Sequence, residues 1–446
     1  MEILIRNAKF VITMDSKGRV LKGGSIVIRD GKIEAVGKDE EVVRAWGKNF
    51  EEVIDASGMM AMPGLIQSHV HLIQTAFRGL AEDLSLLEWL RARILPLESA
   101  LTPSEVYYSS LLGCIELLKS GTTAVFDFGS LKHLEMVFKA MYDSGIRGVS
   151  GKILMDRGDE LCQGVVEGYE EGIREGLRIK EKWCKGRLGF AFSPRFALSC
   201  TEECLREVAH VAKEHGVRIH THAAESLEEV EEVKKRSGLR NIEYLNRLGL
   251  TGENVVIAHC IWIDDVEMGI LARTRTNVVH CPSTNLKLGS GVAKVPLMLK
   301  RGINVAIGAD GAPCNNSLDV FWEIRLASLL QKGLNLDPKV MPAKEAIKMA
   351  TLNGARAMGL ESSIGCLEVG RRADVILIKL DKAHLSPFTE LHDPYSLIYS
   401  LKGSDVAYTI VDGKIVVREG TIVTVDEEKV VKEINKIALR LIEQTG

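Results

Sequence analysis

Eight short apolar runs separated by longer amphipathic stretches limit most strongly what this 446-residue chain can fold into. The runs are MAMPGLIQSHVH (60–71), TTAVFDF (122–128), IRGVSGKI (146–153), LGFAFSP (188–194), VRIHTHAAE (217–225), VVIAHC (255–260), NVVHCP (277–282) and NVAIGADG (304–311). Between them lie segments with helical spacing, such as CLREVAHVAKEHG (204–216). Near-continuous Val, Ile and Leu mark strands buried on both faces, and strands alternating with helices imply a parallel sheet. Eight such units predict an α/β fold, a closed (β/α)8 barrel. An open doubly wound sheet is the alternative, because sequence does not show closure. No glycine-rich phosphate fingerprint follows any strand, which argues against a nucleotide-binding version of that sheet.

The two ends of the chain have a different pattern. SIVIRDGKIEAVG alternates apolar and polar residues around a turn at Asp30-Gly31. AYTIVDGKIVVREGTIVTVD (407–426) repeats the DGKI turn at Asp412-Gly413, after the strand-like ADVILIKLD (373–381). A sheet fragment at either end is hard to stabilise alone, so the ends are expected to pair. Residues 1–58 and 368–446 are thus read as one small β-sandwich domain, with VVKEINKIALRLIEQ (430–444) as a terminal helix, and 59–367 as the barrel.

Several buried strands end on histidine or acid where an apolar residue belongs. The first ends His69-Val70-His71, with both histidines on one face by strand alternation. The fifth ends His220-Thr221-His222 and runs on to Glu225, the sixth ends at His259, the seventh at His280 and the eighth at Asp310. The C-terminal ends of barrel strands open onto one mouth, so these distant residues converge there. Imidazole and carboxylate suit Zn²⁺, and Fe²⁺ or Mn²⁺ fits the same donors. A lone buried histidine is ordinarily a hydrogen-bonded core residue, and an HxH pair alone is a weak signal. Specificity comes from HxH, HxHxxE, AHC and GADG each closing a strand in barrel order. His220 is read as supporting a ligand, His280 as structural or catalytic, and His133, His210, His215, His384 and His392 as solvated.

The chain also resembles the amidohydrolase superfamily along nearly its whole length. Within it the chain is similar to the branch holding adenosine-type and S-adenosylhomocysteine deaminases, guanine deaminases and triazine hydrolases. The resemblance is carried by MPGLIQSHVH (62–71), RGLAEDLSLLEWL (78–90), HTHAAES (220–226), CPSTNLKLGSG (281–291), GADGAPCNNSLDVFWEIRLASLLQK (308–332) and LEVGRRADVILI (367–378). It implies His69, His71, His222 and Asp310 as metal ligands, Glu225 as proton shuttle and His259 as the residue orienting substrate and water. Asp310 would also accept the water proton. Binuclear relatives carry a carboxylated lysine at the end of strand four. Here that strand ends Ser193-Pro194-Arg195, which implies one metal. With every ligand position intact, a catalytically inactive scaffold is disfavoured.

For the substrate, the sequence favours guanine or a related oxo-amino purine or pterin. Gln74 offers both an amide donor and an acceptor, Arg195 donates to a carbonyl oxygen and Phe196 covers a ring face. Methylthioadenosine, S-adenosylhomocysteine or adenosine-type substrates, and chlorotriazines, are the alternatives. Glu98 sits where nucleoside deaminases hold ribose hydroxyls, and Trp89 is expected on the same side. A net charge of −3 gives no sign of a nucleic-acid or anionic-membrane partner. No apolar run is long enough to span a bilayer, and the N-terminus lacks the apolar core of a signal peptide. Nine scattered cysteines without a CxxC pair read as reduced thiols of a cytoplasmic protein. The resemblance further implies a homo-oligomer.

Overall fold

The computed structural model describes residues 2–47, 49–157 and 165–445. The barrel strands are β1 (Leu65–His71), β2 (Thr122–Ser130), β3 (Arg147–Leu154), β4 (Leu188–Pro194), β5 (Arg218–Ala223), β6 (Val255–His259), β7 (Asn277–His280) and β8 (Val305–Ile307). They form one parallel sheet in sequential order. One short stretch of chain closes it. β8 pairs with β7, as His280 opposite Ile307. Three residues on, Asp310 and Gly311 pair with Val70 and His71 of β1. The strand read as 304–311 is therefore divided across the seam, and the open-sheet alternative does not hold. Gly308 lies where the division occurs: a Cβ there would sit 2.5 Å from the His69 carbonyl oxygen.

Inward side chains fill the barrel. Ile66, Phe126, Val149, Ala191, Val256, Val279 and Ala306 come from seven of the eight strands and pack as one cluster, with Ala355, Met358 and Ile364 among its other members. This apolar filling closes one end, so polar strand ends gather at the other.

Both chain termini enter one mixed sheet. Met59–Pro63 lies between the N-terminal strand Glu2–Ile12, to which it is parallel, and Val375–Lys379, to which it is antiparallel. The run read as one strand over 60–71 is thus two, broken at Gly64. A Cβ on Gly64 would lie 2.0 Å from Thr123 Oγ1, so the crossing from small sheet to barrel requires glycine there. The sheet has nine strands, eight in one hydrogen-bonded path and a ninth, Glu52–Asp55, paired with the N-terminal strand off that path, and it curls on itself. Ile33 N donates to Arg371 O, and Ala373 N to Gly31 O, each at 2.9 Å. The two DGKI turns meet back to back, since a Cβ on Gly413 would be 2.6 Å from Gly31 Cα. Ile5, Ile28, Val375, Leu377 and Ile410 share its core.

Arg147, at the start of β3, ties the two units together. It donates to both oxygens of Asp374 at 2.8 and 2.9 Å and to Asp412 at 3.2 Å, with Arg147 and Asp374 both buried. The C-terminal helix Glu427–Thr445 docks on the barrel helix Pro103–Lys119 through Arg440 to Glu105, at 2.6 and 2.7 Å, and Lys119 to Glu427 at 2.8 Å. Among the described residues, no helix is long and apolar enough to cross a membrane. The eight described cysteines are free thiols.

Candidate metal centre and substrate pocket

The polar strand ends converge on Asp310. Its Oδ1 lies 3.3 Å from His69 Nε2 and 3.3 Å from His71 Nε2. His71 Nε2 and His222 Nε2 are 3.3 Å apart. Two ligands each 2.0–2.1 Å from a tetrahedral ion are themselves about 3.3 Å apart, so these separations suit one ion among the four side chains. Buried donor atoms also lack other partners, for the Nε2 of His69 has no hydrogen bond. The residues fit a single divalent metal.

Backbone and neighbours fix which nitrogen faces the centre. His222 Nδ1–H donates to Arg195 O at 2.7 Å, and His259 Nδ1–H to Asn285 Oδ1 at 3.0 Å. Each ring therefore presents a bare Nε2 inward. His69 Nδ1 is 2.9 Å from His220 Nε2, which places His220 beneath the ligands in a supporting role. His259 Nε2 lies 3.4 Å from Glu225 Oε2 and 3.8 Å from Asp310 Oδ2. Backbone strain helps aim these groups. Ala224, His259, Cys260 and Asp310 have φ of 54°, 73°, 48° and 62°, left-handed values that non-glycine residues adopt at a cost of about 1–3 kcal/mol each.

Burial sets the charge states. It pushes His71 and His222 well below the usual imidazole range, which keeps them neutral as ligands must be. For Asp310, burial opposes ionisation, but the neighbouring His69, His71 and His259 outweigh it and hold the carboxyl well below its usual range. Glu225 goes the opposite way: burial first, then the charges of Asp310 and Glu229, raises it well above. Ionisation is thus favoured at one carboxyl and protonation at the other, both within 4 Å of His259 Nε2, the division that acid–base chemistry needs.

A pocket lies over this centre. His71, His222, Glu225, His259 and Asp310 form its polar floor, and Leu86, Trp89, Leu90, Phe196 and Leu288 its apolar walls. Gln74 and Arg195 also line it. Glu98 lies behind them, almost buried, and binds both. It accepts from Arg195 Nη1 at 2.7 Å and Nη2 at 3.1 Å, and from Gln74 Nε2 at 2.7 Å. Arg195 and Gln74, read from the sequence as contacts to a ring carbonyl and its N–H edge, thus both bind the Glu98 carboxylate, which counters the arginine's charge.

Other histidines divide as follows. His280 is fully buried on β7, outside the pocket lining, and burial pushes it down to about 3. His210, His215, His384 and His392 are exposed and His133 is half-buried. Lys152, the nearest lysine to the strand-three mouth, turns away to Glu175 and Glu167 at 2.6 and 2.7 Å.

Three functional supports escaped sequence reasoning. Asn285, in the CPSTN run, fixes the His259 tautomer. Asp127, an acid in a buried strand, accepts from Leu72 N at 2.9 Å and Ser150 Oγ at 2.6 Å, and so anchors the turn after His71. Burial raises it to about 6. Glu229 accepts from the backbone N–H of Ala224 and Glu225 at 3.2 and 2.7 Å. A buried acid in an apolar run was the available signal for Asp127, but nothing local distinguishes Glu229 from the exposed acids around it.

A model of the amidohydrolase family matches residues 60–416. A 5′-deoxyadenosine deaminase of Methanosarcina acetivorans is 39% identical over 444 residues, covering 99% of this chain and 98% of that one. A 5-methylthioadenosine/S-adenosylhomocysteine deaminase of Acetivibrio thermocellus is 40% identical over 450 residues, covering 99% and 100%. The crystal structure of an adenosine deaminase from Xanthomonas campestris with bound zinc superposes with a TM-score of 0.92 at 27% identity, covering 99% of this chain and 98% of that one. The chain belongs to the amidohydrolase family, and its centre is that of a hydrolase acting on C–N bonds of cyclic amidines with one divalent metal.

Proposed function

We propose that this amidohydrolase deaminates the adenine ring of a 5′-modified adenosine, such as 5′-deoxyadenosine, 5′-methylthioadenosine or S-adenosylhomocysteine. Ammonia and the matching hypoxanthine nucleoside are the products. His69, His71, His222 and Asp310 hold one Zn²⁺. The observation that carries the choice of ring is the Glu98 network. With Arg195 and Gln74 engaged by Glu98, the pocket offers no uncountered cation for a ring oxygen. Three of the roughly four acceptor sites of that carboxylate are taken, so Glu98, standing behind the pocket lining, fixes where Arg195 and Gln74 sit. The apolar walls from Leu86, Trp89 and Phe196 suit the faces of an unoxidised purine. Full-length relatives named as deaminases of such nucleosides support the same choice.

A divalent ion at these donors supplies Lewis acidity and lowers the pKa of water from 15.7 to about 7. The side chains do the rest. His259, with Nε2 as acceptor, orients a hydrogen of the attacking water. Asp310 Oδ2 accepts the proton released as oxygen adds to the amino-bearing carbon. Glu225, protonated in its buried site, gives its proton to the adjacent ring nitrogen, so the ring accepts the added electron pair. The tetrahedral carbon then expels ammonia, with the proton from Asp310 going to the leaving amine and the remaining hydroxyl proton passing to Glu225 as the carbonyl forms.

Ammonia release from these nucleosides, adenosine, guanine, a pterin and a chlorotriazine tests the assignment. The modified adenosines should exceed guanine in kcat/KM by at least about tenfold. Faster turnover of guanine, or chloride release without ammonia, would reject it. Glu225→Gln should lower kcat by about 10²- to 10⁴-fold with metal retained.

A further inference from the structure

Away from the pocket, CTEEC (200–204) sets two cysteines four residues apart, where the turn after β4 enters the helix Glu202–Glu214. Thr201 caps that helix, its Oγ1 accepting from Cys204 N at 3.1 Å. Asp156, just beyond the end of β3, accepts from Thr201 N at 2.8 Å and from Thr201 Oγ1 at 2.5 Å. The cap thereby gathers three donors: the sulfurs of Cys200 and Cys204 and a carboxylate oxygen of Asp156 lie within 4.8 Å of one another. Both cysteines are fully buried, while Asp156 is half-buried, which gives an ion a way in. Two sulfurs each about 2.3 Å from a tetrahedral ion are themselves about 3.8 Å apart, so small side-chain rotations suffice. The carboxylate has roughly four acceptor sites, and Thr201 takes only part of them. Ionising either thiol beside the other and beside a carboxylate is unfavourable unless a cation is present.

We propose that Asp156, Cys200 and Cys204 hold a divalent metal ion separate from the catalytic one, selective for thiophilic ions such as Zn²⁺ and Cd²⁺, and that this ion braces the turn bearing Arg195 and Phe196. None of the three residues lines the substrate pocket, so the site stands apart from the proposed reaction. Binding is a ligand exchange without redox change: two S–H bonds break, two sulfur–metal bonds form and two protons pass to solvent. Water completes the fourth position. The bracing follows from where the donors sit. Cys200 Sγ donates to Leu154 O at 3.2 Å, the carbonyl that also accepts from Arg195 N at 3.2 Å. An ion joining Asp156 to Cys200 and Cys204 therefore ties the end of β3 to the turn and to the helix that follows it. Mg²⁺, which prefers oxygen donors and retains its waters, should leave the site alone.

The test uses thiol-reduced protein holding one zinc per chain, titrated with Cd²⁺ and, separately, with Mg²⁺. Bound metal is counted after dialysis, cadmium–thiolate absorption is followed in the ultraviolet, and proton release and melting temperature are measured. Wild type should go from one metal to two per chain, gain the thiolate band, release two protons per added ion and melt at a temperature that rises with free Cd²⁺. Mg²⁺ should do none of this. Cys200→Ser and Cys204→Ser should each keep the first zinc but lose the second ion, the band and the thermal shift. Asp156→Asn, with both thiols present, should bind the second ion at least about tenfold more weakly. Cys114→Ser, altering a buried thiol on the helix Pro103–Lys119, should behave as wild type. No second ion in wild type, a band that survives in both serine variants, or Asp156→Asn binding as tightly as wild type overturns the proposal. If no nucleoside is deaminated while the second ion still binds, the proposed reaction fails and this site stands.

Discussion

Glu229 is expected to govern catalysis without touching substrate, because it holds the segment that carries Glu225. Its buried carboxylate accepts from Glu225 N at 2.7 Å, Ala224 N at 3.2 Å and Asn241 Nδ2 at 2.5 Å. Ala224 sits at φ 54°, a conformation kept only if its surroundings enforce it. Glu229→Ala leaves three buried donors unpaired. Each buried unsatisfied group costs about 1–3 kcal/mol, and some are re-solvated by water entering the cavity, so the net loss should be about 3–5 kcal/mol. Displacing Glu225 by about 1 Å should cost about 100-fold in kcat. Glu229→Gln should recover most of both losses. Its amide oxygen still accepts from Glu225 N, and its new NH₂ can donate to Asn241 Oδ1, which has no partner, once that amide flips. The assay is urea unfolding together with kcat, KM and metal content for both variants. Three results would refute the reasoning: an alanine variant with near-normal kcat, a glutamine variant no better than alanine, or loss of activity that tracks loss of metal.

Further outcomes follow from other buried contacts. Arg147→Met should destabilise the fold by about 3–5 kcal/mol by leaving Asp374 buried and unpaired, and adding Asp374→Leu should restore most of it; a double-mutant cycle in urea without coupling would exclude this link. Asn285→Ala should lower kcat/KM by about 10- to 100-fold with metal retained, since His259 loses the acceptor that fixes its tautomer; metal analysis beside kinetics checks it. Glu323, buried and bound to Ser283 and Asn315, is raised from 4.5 to about 7, with burial as the main cause. Between these values the unfolded chain has released this proton and the folded one has not, so rising pH favours unfolding. Stability attributable to this group should fall by about 3 kcal/mol from pH 4.5 to 7 and then level off. Glu323→Gln should lack that slope, and parallel unfolding curves for the two proteins would contradict it.

Much of the centre was legible without coordinates, because it depends on local periodicity. Two-residue alternation places His69 and His71 on one face, and the ends of parallel strands share one mouth in any barrel, so His222, His259 and Asp310 could be assembled from their positions alone. The repeated DGKI turns likewise foretold that the two termini belong together. Other features depend on residues distant in sequence meeting at fixed distances. Closure depends on one segment dividing between β7 and β1 around Gly308. Asn285 and Glu229 act only through the His259 and Glu225 that the fold brings to them. The clearest case is Arg195: in sequence it is a cation at a pocket mouth, suited to a ring oxygen. Only the tertiary structure brings Glu98, from a helix 97 residues earlier, to within 2.7 Å of it, where the carboxylate counters the arginine's charge and ties it to Gln74.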